Sequence, residues 1–180
     1  ITGRVFSGRT GVHMRLIEKS LPSPTDLSEA NVMWHLGPVM KKDGGKWVVV
    51  SAGATTSIRF EKWAPQLIRR FRLRAMIGKG TMGSGTRQAC QEVGCVHLGK
   101  MGMMTGGAYA ERVEKVLEGH WLDMGTSEAL WILLVRELGP FVVDMDAEGN
   151  LMYDGIDKRI LNEGVPRARR TLGIEGFRYA

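Results

Sequence analysis

Cysteine is scarce in this chain: Cys90 and Cys95 are the only two among 180 residues. That number excludes a disulfide scaffold. It also excludes an iron–sulfur cluster held by this chain alone, because such clusters take three or four thiolates. The C-x4-C spacing has no zinc partner nearby, and His13, His35, His97 and His120 are scattered singly, so no metal cage is visible. Two reduced thiols in a cytosolic fold are the expectation, and the cytoplasm the expected location. Long apolar runs are missing as well. The longest, Ala129 to Val135, is far too short to span a bilayer, and no signal peptide opens the chain. The first residue is Ile1 rather than Met, which leaves open a trimmed, processed or partial chain.

The rest of the composition is ordinary. With 43% hydrophobic and 24% charged residues, disorder, collagen and coiled coil are poor readings. A chain of this length suits one domain, or a domain with a tail, and buries a core without covalent staples. The formal net charge is +6. The basic residues gather in two places, Arg69, Arg70, Arg72 and Arg74, and then Lys158, Arg159, Arg167, Arg169, Arg170 and Arg178. Neither cluster is threaded with aromatics in a stacking pattern. A solvated face, an anionic substrate, an acidic partner subunit and nucleic acid all fit such clusters.

Patterning divides the chain into alternating elements. Arg4 to Leu21 contains a glycine-flanked turn at Ser7-Gly8-Arg9 and a short helix through His13, Leu16 and Ile17, stopped by Leu21-Pro22-Ser23-Pro24. Asn31 to Leu36 and Trp47 to Ser51 are expected strands, with a turn at Asp43-Gly44-Gly45 between them. Trp63, Leu67, Ile68 and Phe71 recur at helical spacing. A strand at Arg74 to Ile77, a glycine-rich loop at Gly78 to Gly85, a helix at Thr86 to Val93 and a strand at Cys95 to Leu98 follow. A second loop, rich in glycine and methionine, spans Gly99 to Gly107, where Met101, Met103 and Met104 suit adaptable packing or an interface rather than a metal site. Helices are expected at Ala108 to Leu117 and Ser127 to Leu138, then a strand at Phe141 to Met145 turning through Asp146–Asn150 into Leu151 to Tyr153. Asp144 and Asp146 belong to that turn, and Trp121 and Trp131 to the core. The alternation predicts an α/β domain with a mixed, largely parallel sheet and flanking helices. The domain spans residues 1–154, and 155–180 form a basic C-terminal extension.

Two loops carry the chemistry. Gly78-Lys79-Gly80-Thr81-Met82-Gly83 matches G-x-G-x-x-G between a strand and a helix. A dinucleotide site also needs an acid about twenty residues on, and Leu98-Gly99-Lys100 stands there instead. What survives is a loop whose backbone N–H groups attract an anion, carboxylate or phosphate, with Lys79 adding a full charge. A tight strand-to-helix turn explains the same glycines. Thr55-Thr56-Ser57-x-Arg59 puts three hydroxyls and a guanidinium in a loop and the first turn of a helix, suited to clamp an anion or simply to cap the helix. Arg9 fits a surface position or a ligand clamp equally. Local chemistry therefore supplies cationic anchors around small-residue loops and no nucleophile–base pair.

These pieces, in order, resemble a known family. Ser7-Gly8-Arg9-x-x-x-His13, Gly37-Pro38, Ser51-Ala52-Gly53-Ala54-Thr55-Thr56-Ser57-x-Arg59 and Ile77-Gly78-Lys79-Gly80 resemble the beta subunit, or C-terminal domain, of the class I iron–sulfur fumarate hydratase and L(+)-tartrate dehydratase family. Gly125-Thr126-x-Glu128-Ala129 and Val143-Asp144-x-Asp146-x-x-Gly149-Asn150 agree. The resemblance covers roughly residues 4–153. It implies a swivelling β/β/α domain that closes over an alpha subunit or N-terminal domain carrying a [4Fe–4S] cluster, with no cofactor bound by this chain. It implies reversible hydration of a C4 dicarboxylate, fumarate to malate first and tartrate to oxaloacetate next. By motif the substrate clamps fall on Arg9, Arg59 and Lys79, and the threonine that takes the C3 proton falls on Thr55. The acid that protonates the leaving hydroxyl, and the cluster ligands, belong to the other subunit. Ala54 replaces a proline usual in the family's threonine loop, and Thr81 a glycine common after the lysine. Competing readings are a noncatalytic dicarboxylate- or anion-binding module, alone or as a homo-oligomer, and a nucleic-acid-binding protein acting through its basic tail.

Overall fold

The computed structural model describes residues 1–100 and 106–176; Met101, Met103, Met104 and Arg178 lie outside them. Strands run at β1 (Gly3–Ser7), β2 (Val32–Trp34), β3 (Val39–Asp43), β4 (Lys46–Ser51), β5 (Ala75–Gly78), β6 (Val96–Lys100), β7 (Val113–His120), β8 (Leu130–Val135) and β9 (Phe141–Met145). Helices run at α1 (Thr10–His13), α2 (Ala64–Phe71), α3 (Ser84–Val93), α4 (Gly106–Ala110), α5 (Asp154–Arg159) and α6 (Val165–Leu172). A π turn at Met14–Glu18 continues α1, and a 3-10 turn at Ser57–Phe60 precedes α2. No helix among the described residues is long and apolar enough to cross a membrane.

The chain forms two compact units, Ile1–Asn150 and Leu151–Ala180. The first is built on a seven-stranded sheet in the order β7-β8-β1-β2-β5-β6-β9. Its centre, β1-β2-β5-β6, is parallel, and β8 and β9 flank it antiparallel. The register aligns Phe6, Met33, Met76 and His97 in one row and Ser7, Trp34, Ile77 and Leu98 in the next. Strands buried on both faces read as continuous apolar runs, as Val32–Trp34 and Ala75–Gly78 do, whereas Gly3–Ser7 and Val96–Lys100 carry polar residues. Trp34, Ile77, Trp131 and Leu133 form a core with Val49 and Ala52 of the β3–β4 region and with Tyr109 and Ala110 of α4. The α2 helix buries Ala64, Leu67 and Ile68, points Arg69 and Arg70 outward, and ends at Arg72 in the left-handed region (φ 46°). The architecture is α/β, as the alternation predicts.

Two expected helices are strands. Ala108 to Leu117 is helical only in α4, and the rest enters β7. The β7 ladder shifts register between Val113 and Lys115 and again between Val116 and Glu118. Those bulges break the two-residue alternation and leave Val113, Val116 and Leu117 at spacings of three and four, which imitates a helix. Ser127 to Leu138 contains β8, whose six residues are nearly all buried between β7 and β1; with both faces covered no alternation remains to mark it. Gly3–Ser7 and Val39–Asp43 are strands that the pattern did not announce. Leu151 to Tyr153 forms no strand element, and α5 starts at Asp154. The second unit is helical: α5, a π turn at Ile160–Gly164 and α6, with no buried residue in the turn or α6. Trp131 is buried as expected, whereas Trp121 is only half-buried, with φ 61° and the Arg15 guanidinium 5.4 Å from its ring.

Candidate functional site

The loops that carry Arg9, Thr55, Arg59 and Lys79 meet around the carboxyl ends of β1, β2 and β5, the end at which open α/β sheets hold ligands. Lys79 follows β5 directly. The Thr55–Arg59 segment comes from far away in the sheet order, after β4, and is stitched on by backbone bonds. Thr55 N–H donates to His35 O at 2.8 Å, at the end of β2. Ser57 N–H donates to Lys79 O at 2.9 Å, and Thr56 bridges Lys79 in parallel register. Thr55 and Lys79 are half-buried and Arg59 is exposed, its guanidinium 6.0 Å from the Phe60 ring. No carboxylate among the described residues pairs with Arg59 or Lys79.

Arg9 caps the end of β1, anchored by Gly8 N–H donating to Trp34 O at 3.1 Å. Its side chain crosses bare Gly37, where a Cβ would collide with Arg9 Cδ. Unlike the other two cations it is paired: Arg9 Nε lies 3.3 Å from Glu128 Oε1, and Gly11 N–H donates to Glu128 Oε2 at 2.8 Å. The structure thus joins the Thr55–Ser57 loop to Lys79 along one seam, places Arg59 two residues beyond it in the 3-10 turn, and sets Arg9 at the adjoining strand end.

A buried aromatic cluster ties the two arginine turns. His13 Nδ1 lies 2.8 Å from Arg9 O. The His13 ring stacks on Phe60 at 4.4 Å between centroids, and His35 tilts against the same ring at 4.6 Å. The histidines are therefore not scattered. His13, His35 and His97 are all fully buried, and only His120 stands apart, 2.8 Å from Glu118. Burial disfavours imidazolium. It lowers His13 to about 4 against the raising effect of the Arg9 carbonyl, and it lowers His35 well below the ordinary range, with His13 and His97 adding to the effect. Both rings are neutral at pH 7.

The glycine loop has an occupant from within the chain. Gly83 N–H and Thr86 Oγ1–H donate to Glu61 Oε2 at 2.7 Å each, and Thr86 N–H donates to Glu61 Oε1 at 2.9 Å. Gly83 is glycine because a Cβ there would stand 2.7 Å from the Glu61 carboxyl carbon. The α3 N-terminus thus takes a carboxylate, as its electrostatics favour, but that carboxylate is Glu61. The expected external anion is left with Lys79 and the Thr55 loop rather than this helix end.

The donor set does not fit an iron–sulfur cluster. Cys90 and Cys95 are both buried free thiols, and hydrogen bonding to Cys90 together with burial pushes the Cys95 thiol up, away from the thiolate a metal needs. Among the described residues no group of three His, Cys, Asp or Glu side chains could hold a metal ion.

Sequence patterns missed Glu61; they named Ser57 only as one of three loop hydroxyls, and Glu128 and Asp144 only within the motifs that carry the family resemblance. Asp144 is not merely a turn residue: it is 2% exposed and its Oδ1 lies 2.6 Å from His97 Nδ1. Asp146 does serve the turn, accepting from Glu148 N–H and Asn150 N–H at 2.9 and 2.8 Å. A signal existed for the histidines, because His35 and His97 each adjoin or interrupt a short apolar strand, where a lone polar residue is buried with a partner.

Comparison with known proteins gives the chain a family. Residues 1–156 match the family model described as Fumarase C-terminus. The chain is 37% identical over 153 residues to the L(+)-tartrate dehydratase subunit beta of Escherichia coli K12, covering 83% of this chain and 74% of the relative. It is 39% identical over 166 residues to a Geobacillus stearothermophilus protein named "Putative fumarate hydratase class I", covering 91% of this chain and 31% of that longer protein. It is 34% identical over 170 residues to a Methanocaldococcus jannaschii protein named "Putative L(+)-tartrate dehydratase subunit beta", covering 91% of this chain and 86% of the relative. The chain belongs to the Fumarase C-terminus family.

Proposed function

We propose that this chain is the beta subunit of an iron–sulfur-dependent hydro-lyase that reversibly hydrates or dehydrates a C4 dicarboxylate. The observation that carries the reading is the seam joining the loop of Thr55 and Arg59 to Lys79, with two unpaired cations, in a chain with these relatives. The name of the Geobacillus relative supports fumarate and those of the E. coli and Methanocaldococcus relatives support tartrate; the two differ by hydroxyl groups that these loops do not rank. The cluster is assigned to an alpha subunit, because the donor set here does not fit it.

Arg9, Arg59 and Lys79 bind the substrate carboxylates. Arg9 lies 3.3 Å from Glu128 at Nε, an ion pair without a hydrogen bond, and its guanidinium is suited to a bidentate carboxylate. Removing the proton next to a carboxylate builds a dianion-like centre. Fixed cations aimed at that charge stabilise the transition state more than the ground state. Thr55 is the proposed base. A threonine hydroxyl is weakly basic, so Thr55 must either already be an alkoxide held by Arg59 and Lys79 or pass its own proton along a relay as it takes the C3 proton. The acid for the leaving hydroxyl comes from the partner.

Anaerobic affinity purification from native lysate tests the reading. A larger iron-containing partner that co-elutes with fumarate–malate or tartrate–oxaloacetate activity supports it. A chain that elutes alone and binds dicarboxylate without any iron protein contradicts it and favours an anion-binding module.

A further inference from the structure

The Ser57 hydroxyl sits where the Lys79 backbone and two buried imidazoles converge. Lys79 N–H donates to Ser57 Oγ at 3.0 Å, and His35 Nδ1 lies 3.0 Å from the same oxygen. With Ser57 N–H donating to Lys79 O at 2.9 Å, the two residues are tied in both directions. Gly78 separates Ser57 from His97. A Cβ on Gly78 would overlap Ser57 Oγ and stand 2.9 Å from His97 Nε2, so both polar atoms crowd against the bare face of Gly78. Beyond it, His97 Nδ1 meets Asp144 Oδ1 at 2.6 Å. Ser57, His35 and His97 are 0% exposed and Asp144 is 2% exposed.

The Ser57 hydroxyl oxygen accepts from Lys79 N–H and shares a second hydrogen bond with His35 Nδ1. His97 and Asp144 share a separate one between Nδ1 and Oδ1. Packing alone does not call for such groups: apolar residues of similar volume fill a core without leaving His35 Nε2, His97 Nε2 and Asp144 Oδ2 unpartnered. The set does have one consistent output. Its Ser57 end fixes the Lys79 peptide, and the His35 carbonyl fixes Thr55 N–H at 2.8 Å.

We propose that Ser57 and His35 are positioning residues: a buried hydrogen-bonded pair that holds the Lys79 peptide and the Thr55 loop in a single geometry toward the substrate, with the His97–Asp144 pair packed beside it across Gly78. This rests on the proposed function, which puts Thr55 and Lys79 at the dicarboxylate. It adds two side chains that touch no substrate and act only through those two.

Two measurements test it. Amide hydrogen exchange on the full chain reads the Lys79 N–H, which Ser57→Ala is expected to speed by about tenfold or more through loss of its acceptor; unchanged exchange overturns the proposal. In the complex with the partner subunit, Ser57→Ala is expected to lower kcat by about 100-fold, the cost of ångström-scale misplacement, with KM within about threefold. His35→Leu is expected to match that loss. His35→Asn, which keeps a hydrogen-bonding atom near the Nδ1 position, is expected to recover most of kcat. Wild-type kcat in Ser57→Ala overturns the proposal. A wild-type complex without hydro-lyase activity contradicts the proposed function instead, and the exchange measurement then decides the positioning role by itself.

Discussion

Arg9 and Glu128 form a half-buried ion pair, 3.3 Å from Nε to Oε1, in which the second carboxylate oxygen is already taken by Gly11 N–H at 2.8 Å. Glu128 therefore fixes the arginine and the start of its helical turn together, joining two segments 117 positions apart in sequence. Glu128→Ala is expected to free the Arg9 side chain and raise KM for the dicarboxylate by about tenfold, near 1.4 kcal/mol. Glu128→Gln, which still accepts from Gly11, is expected to fall between. Steady-state kinetics of the two variants in the complex check this; equal KM values in wild type and Glu128→Ala refute the orienting role.

Glu61 closes α3 from outside the helix, accepting three hydrogen bonds from Gly83 and Thr86. Charge-assisted bonds of this kind are worth more than neutral ones. Glu61→Ala is expected to cost about 2 kcal/mol of folding stability, read as a lower urea midpoint with the slope unchanged. A phosphate or sulfate that restores the midpoint would show that the emptied helix end is a true anion cradle.

Gly78 has no room for a methyl group, because Ser57 Oγ and His97 Nε2 occupy the space where a Cβ would go. Gly78→Ala is expected to destabilise the chain by about 1–3 kcal/mol through overpacking and to disturb the Ser57–Lys79 pairing as well. Gly53→Ala is the control, since nothing lies within 4 Å of a Cβ there. Denaturant unfolding of both variants separates a real collision from a generic loss of glycine.

His13 and His35 link stability to pH. Burial lowers His13 from 6.5 to about 4 and His35 well below 6.5. The unfolded chain therefore binds more protons than the folded one between about pH 6.5 and pH 4. The stabilisation from the neutral rings is complete above the unfolded value and fades as pH falls through that window. His13 alone is expected to cost about 2 kcal/mol between pH 7 and pH 5. Urea unfolding at the two pH values checks the slope, and His13→Gln is expected to flatten it.

Much of this molecule was legible before any coordinates. Strands β2, β4, β5, β6 and β9 and helices α2 and α3 follow from apolar runs, helical spacing and glycine punctuation, and so does the α/β class. β7 and β8 were not legible for opposite reasons: bulges gave β7 a helix-like spacing, and burial on both faces removed any alternation from β8. Arg9, Thr55, Arg59 and Lys79 stood out because cations and hydroxyls in glycine-rich loops have no packing role to hide them. Ser57 stood out only as one of three loop hydroxyls, and the contacts of Ser57, His35, His97 and Asp144 were not legible, because they join segments far apart in sequence, from the 22 positions between His35 and Ser57 to the 47 between His97 and Asp144. Only the sheet order brings them together.

The most direct measurement is turnover of the anaerobic complex with Lys79→Ala and Arg59→Ala in this chain. Each variant is expected to fold and to assemble with the partner, yet to lose about 100-fold or more in kcat/KM for the C4 dicarboxylate, the loss typical of a removed charge-stabilising contact. Wild-type turnover in either variant, with the assembled complex intact, would contradict the site at the seam of Thr55, Arg59 and Lys79.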